Sequence, residues 1–301
     1  QWLFVCRKVI ASMALTPYQQ LEQEFKRLHA FRTAASVLRW DSAVMMPRGS
    51  ADLRGEQLAA LETECHALVS SPRVSRLLDR AEANSQGLED WQLANLREMR
   101  REREHAIATP QNLVSRLAKA TAKAEVCWVE AKQKSDFSIF APCLEEVVNL
   151  TRDKAALLGN ALDLSPYDAL VDEFSPGLTV KEIDAIFTTL VRRLPSLIQE
   201  AIDIQAKSPP LELTGRIAPA KQKQIAIELM KAIGFQFERG RLDESEHPFT
   251  GGAPGDIRIT TRFVATEPLS GLMGVLHETG HAMYDLGLPE AWRGQPVGRD
   301  R

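Results

Sequence analysis

The chain has 301 residues, 44% hydrophobic and 26% charged, long enough to bury a core in one large domain or two ordinary ones. Its 37 Lys and Arg and 40 Asp and Glu give a formal net charge of −3 with the signs interleaved, which excludes the concentrated basic footprint of a nucleic-acid binder. No stretch reaches the roughly 18-residue apolar run of a membrane helix, and aromatics at 6% beside abundant Leu, Ala, Glu, Arg and Lys lean the composition towards helix.

Residues 1–12 are apolar but too short to span a bilayer and have no basic segment before them. They read as an upstream extension, with Met13 as the natural start and a clipped targeting segment as the alternative. From Thr16 to about Trp40, Leu21, Phe25, Leu28, Phe31, Ala35 and Leu38 recur at three- and four-residue intervals, predicting an amphipathic helix. Further helices are predicted over 51–68, from Pro72, over 90–108, over 110–134 and over 142–160. The charged run around Arg100 and Arg101 reads as a solvated helix face.

Residues 164–179 read as loop and short helix. Thr179 then caps a helix to about Ile204, a loop surrounds Pro209 and Pro210, and a helix covers 219–233. After Gly234 the alternation of Ile257, Ile259, Thr261 and Phe263 predicts two or three short strands, and from Glu267 the helical period returns. The expected architecture is mainly α: one helical domain with a small β-sheet beside the last helix. Cys6, Cys65, Cys127 and Cys143 show no CxxC or zinc-knuckle spacing. They read as reduced thiols of a reducing compartment, which gives a cytoplasmic expectation.

That last helix carries HETGH. His277 and His281 lie four apart, on one helix face, so both imidazoles can reach one metal ion. Two neutral imidazoles suit zinc, and Glu278, rotated about 100° from His277, falls beside the ion as a general base. The bland alternative is a chance HExxH, but Leu272, Val275, Leu276 and Met283 give this helix the apolar flank of a buried active-site element. A catalytic zinc site takes three protein ligands, and neither Asp285 nor Glu290 is placed as a third.

The strings LRWDSAVMMPRGSADLRGEQLAAL, SPYDALVDEFSPG, HPFTGG, DIRITTR, GVLHETGHAMYDLGLP and EAWRGQPVGR together resemble the carboxypeptidase Taq family of zinc metallocarboxypeptidases, over nearly the whole chain from Met13. The resemblance implies a helical, cleft-containing zincin-type fold, a homodimer, and one divalent ion, zinc with cobalt as a substitute. It implies His277 and His281 as metal ligands and Glu278 as base. Asp256, Arg258 and Thr260 match a DxRxT motif associated with the substrate's C-terminal end, and His247, Pro248 and Phe249 an HPF motif that shapes the site. A guanidinium can hold a carboxylate through two parallel hydrogen bonds, although a strand-face salt bridge would also explain Arg258. Trp40, Asp41, Tyr167 and Asp168 read as packing and capping residues.

By the same resemblance a third ligand, a Glu on a following helix, would fall near position 307, so the expectation is a chain truncated before that helix. The expected activity is removal of C-terminal residues from peptides with a free carboxylate, without nucleic acid or membrane. The alternatives are a non-catalytic fragment or binding module of this fold and a zinc endopeptidase.

Overall fold

The computed structural model describes residues 15–208 and 215–299; the extension over 1–12, the start at Met13 and most of the Pro209–Pro210 loop lie outside them. Helix α1 (Pro17–Val44) begins with a capping box, in which the Thr16 hydroxyl accepts from the Gln19 amide at 3.2 Å and the Gln19 side chain accepts from the Thr16 amide at 2.9 Å. Its Leu21, Phe25 and Leu28 are fully buried against α2 (Ala51–Ser70), α3 (Pro72–Ala83) and α4 (Asp90–Ala108), where Val69, Leu78, Leu96 and Met99 complete the first core. Each of these side chains contributes about 1.5–3 kcal/mol by leaving water.

Helices α5 (Gln111–Lys134) and α6 (Ala141–Leu162) pack on each other, burying Leu113, Ala120 and Leu150. Here the structure corrects the expectation of reduced thiols: Cys127 on α5 is paired with Cys143 on α6 in a disulfide, while Cys65 is free and buried. The packing of two helices brings together cysteines that no local spacing motif relates, and the argument for a reducing compartment loses its footing.

A second correction concerns the charged run on α4, which is no solvated face. Arg100 pairs with Asp79 and Glu82, and Glu102 with Arg32 and Arg299. Arg101 and His105 both meet Asp172 of α7 (Pro166–Phe174), His105 Nε2 at 2.8 Å. Burial pushes the Asp172 carboxyl up, but the Gly177 amide, Arg101 and His105 outweigh it and hold the group below the ordinary range. Helix α4 is flanked by α3 on one side and α6 on the other, so its charges find partners across helix seams rather than water.

Thr179 and Glu182 form the capping box of α8 (Val180–Lys207), and the Asp168 carboxylate accepts from the Val180 amide at 2.7 Å, as its capping role predicts. Beyond this first turn, every residue from Asp184 to Ser208 is exposed.

The last unit is α9 (Pro219–Ile233), β1 (Gly240–Glu244), β2 (Phe249–Ala253), β3 (Asp256–Thr261) and α10 (Pro268–Gly287). The strands lie in the order β1-β3-β2, with β1 parallel and β2 antiparallel to β3. Because side chains alternate along a strand, Leu242, Ile257 and Ile259 share one face and pack with Val275 and Ala282 of α10 and Met230 of α9. The opposite face carries Arg241, Asp256 and Arg258 towards Trp40 of α1. The turn into β3 needs Gly252 (φ +98°), where a Cβ would stand 2.3 Å from the Asp256 carbonyl.

After α10 the chain returns to the first core. Trp292 stacks on Trp91 with centroids 5.6 Å apart. Buried Gln295 donates to the Glu22 carbonyl at 2.9 Å and accepts from Asn95 at 3.2 Å. No helix among the described residues is long and apolar enough to cross a membrane.

Candidate active site

Helix α10 lies close on the sheet because two glycines permit it. A Cβ on Gly271 would stand 2.8 Å from the Arg262 carbonyl, and one on Gly274 would meet Thr261 Oγ1 at 3.1 Å and Pro248 at 3.5 Å. The buried side of the helix holds Val275, Glu278, Thr279 and Ala282, and the opposite side exposes His277 and His281. The two histidine Nε2 atoms converge to 3.2 Å with their rings at 80°. Two nitrogens each about 2.0–2.1 Å from one tetrahedral divalent ion stand about 3.3 Å apart, so the pair as it stands fits a shared metal. Among the described residues no group of three His, Cys, Asp or Glu gathers to hold an ion; Glu290 pairs with Arg293 instead.

Glu278 is 7% exposed and is held from the sheet. The Thr250 hydroxyl on β2 lies 2.7 Å from its Oε2 and 2.9 Å from its backbone carbonyl oxygen. With one proton to give, the hydroxyl donates to the carboxylate and fixes its rotamer. The sequence reading missed Thr250. Its signal was present, since Thr250 follows the HPF string and pairs with Ile259, whose side chain faces α10.

The HPF segment buttresses the same helix. Pro248 packs at Gly274, one turn before His277, and exposed His247 lies edge-on to Trp128 of α5 with centroids 6.2 Å apart. Fully buried Thr260 pins this turn. Its hydroxyl accepts from the Phe249 amide at 3.1 Å and from the Ser245 hydroxyl at 2.8 Å. Trp128 is a second residue the sequence gave no reason to single out, because its contact is made between distant elements.

The structure does not bring the DxRxT row to the histidine pair. Arg258 grips Asp256 through two 2.7 Å bonds and lies 4.3 Å over the Trp40 ring, on the sheet face turned away from α10. The Arg258 fork, aided by Arg241, holds the Asp256 carboxyl below its ordinary range against a smaller desolvation penalty. Asp256 and Arg258 thus form the strand-face salt bridge, and Thr260 serves the turn. Trp40 packs against the sheet and Asp41 pairs with Arg54 at 2.6 Å, in keeping with packing roles.

Residues 20–301 match the sequence model of the carboxypeptidase Taq (M32) metallopeptidases. The chain is 36% identical over 295 residues to thermostable carboxypeptidase 1 of Thermus thermophilus, covering 93% of this chain and 57% of that protein. It is 31% identical to carboxypeptidase 1 of Bacillus subtilis, covering 91% and 55%. Among solved structures, metallocarboxypeptidase 1 of Trypanosoma cruzi superposes with a TM-score of 0.83 at 37% identity, over 95% of this chain and 57% of that one. The chain therefore spans a little over half the length of the relatives it matches, and it belongs to the carboxypeptidase Taq (M32) metallopeptidase family.

Proposed function

We propose that this chain carries the water-activating part of a zinc metallocarboxypeptidase site, in a protein that removes residues from the free C-termini of peptides. The observation that carries the reading is the convergence of His277 and His281 at 3.2 Å beside a Glu278 carboxylate held by Thr250. A zinc ion bound by the two imidazoles would supply Lewis-acid polarisation at neutral pH. Glu278 takes the proton of the attacking water and delivers it to the leaving amine, its rotamer held by Thr250 throughout. An ion held at ordinary catalytic-site affinity needs a third protein ligand, and the family resemblance assigns that role to a carboxylate outside the described residues.

Anchoring of a peptide carboxylate by Arg258 would require its fork to exchange Asp256 for the substrate. The geometry favours Arg258 as a strut between β3 and Trp40. The test pairs one peptide with a free C-terminus against its amidated form, using zinc-loaded protein. Stepwise release from the free acid alone, abolished in Glu278→Gln, is the expected result. Equal cleavage of both peptides makes the protein an endopeptidase, and no zinc-dependent release from either sinks the catalytic reading. Zinc titration separates the non-catalytic alternative, because His277→Ala and His281→Ala lose the ion only if the pair binds it.

A further inference from the structure

Helix α8 is about 42 Å long at 1.5 Å per residue and buries none of its residues. Yet its composition is that of a packed helix. Phe187, Leu190, Leu194, Leu197, Ala201 and Ile204 follow one another at alternating intervals of three and four, the a and d spacing of a seven-residue repeat. The large ones remain exposed, from 38% at Leu190 to 60% at Leu197 and Ile204. A continuous apolar seam of this length left in water is a surface that awaits a partner. Pro195 and Arg192 fall on the opposite side, where they leave the seam undisturbed.

We propose that the seam is an interface between two copies of this chain, paired antiparallel about a twofold axis between Leu194 and Leu197. Two features select this occupant and this direction. The first is complementarity of size. Antiparallel pairing sets Phe187 against Ile204 of the second copy, Leu190 against Ala201, and Leu194 against Leu197, so each small residue meets a large one. Parallel pairing would put Ala201 on Ala201 and leave a void.

The second is complementarity of charge. Arg193 and Glu200 flank the seam on one side, and neither has an ion-pair partner among the described residues. The antiparallel register that matches the apolar layers also places Arg193 opposite Glu200 of the second copy, twice by symmetry. On the other flank Val191 meets Ile198. Parallel pairing would face Arg193 with Ile198 and satisfy neither charge.

The test is sedimentation equilibrium of the full chain across micromolar concentrations, with circular dichroism as the check on folding. A monomer–dimer equilibrium is expected. Arg193→Glu and Glu200→Arg each place like charges opposite one another at two symmetric positions and weaken dimerisation about tenfold. The double exchange Arg193→Glu with Glu200→Arg restores the pairing with its signs reversed. Because α8 is exposed, these variants keep the fold of the monomer. A chain that stays monomeric overturns the proposal, as does an open-ended series of larger assemblies. Single reversals without effect, or a double exchange that restores nothing, overturn the register.

Discussion

Replacing Thr250 by valine removes one hydroxyl from against Glu278 at nearly constant volume. The bond at stake is 2.7 Å long and joins a neutral donor to a carboxylate on a residue that is 7% exposed, so water does not readily take its place. Hydrogen bonds to charged groups contribute about 1.5–3 kcal/mol, which sets the expected loss in unfolding free energy at about 2 kcal/mol. The bare number would not separate the bond from other consequences of the substitution, so the assay is a double-mutant cycle with Glu278→Ala, read by urea unfolding. Thr250→Val should be costly when Glu278 is present and nearly free when it is absent, a coupling of about 1.5 kcal/mol. Thr250→Ser, which keeps the donor, should recover most of the loss. Coupling below about 0.5 kcal/mol would refute the claim that β2 holds the base.

Gly252→Ala forces a Cβ to within 2.3 Å of the Asp256 carbonyl at φ +98° and should cost at least about 1–3 kcal/mol, seen as a fall in Tm; an unchanged Tm would contradict the tight turn. His29 is buried against Arg299, Arg32 and Arg293, and burial first, then those charges, lower its pKa from the ordinary 6.5. The unfolded chain therefore binds the proton more readily, so the stability His29 supports is intact above that value and declines as pH falls below it. Unfolding free energy measured from pH 7 to 5 should drop less in His29→Gln than in the unchanged protein, and parallel curves would count against the shift. Reduction of Cys127–Cys143, which are 16 positions apart, should lower stability by about 3 kcal/mol. Thiol labelling of unreduced, unfolded protein should leave both cysteines unmodified.

How far the sequence could be read follows from where the information sits. Helix starts are local, written in Thr16 with Gln19, in Thr179 with Glu182, and in Pro72, Pro219 and Pro268 at first turns, and the observed elements begin within a residue or so of those signals. The histidine pair was legible for the same reason, because a four-residue spacing on one helix is enough to bring Nε2 atoms to 3.2 Å. What escaped depends on contacts between distant elements. Thr250 reaches Glu278 across 28 positions, Arg101 reaches Asp172 across 71, and Trp128 finds His247 from another helix. DxRxT was legible as a string, but its direction was not. Which face of β3 looks at α10 is settled by the hydrophobic alternation together with the pairing of β2, and the pairing cannot be read from one strand.

The alternation of that sheet has a consequence for how the family can tolerate change in length. Ile257 and Ile259 look towards α10 while Asp256 and Arg258 look towards Trp40, and Thr250 reaches Glu278 because it stands opposite Ile259. Inserting or deleting one residue between Phe249 and Thr261 would invert this parity, sending a guanidinium into the apolar core and the Thr250 hydroxyl away from the base. A change of two residues conserves it. Length variants around the Pro254–Gly255 turn should therefore survive in even steps, and in this short stretch the parity of the chain, as much as its composition, guards the aim of Glu278.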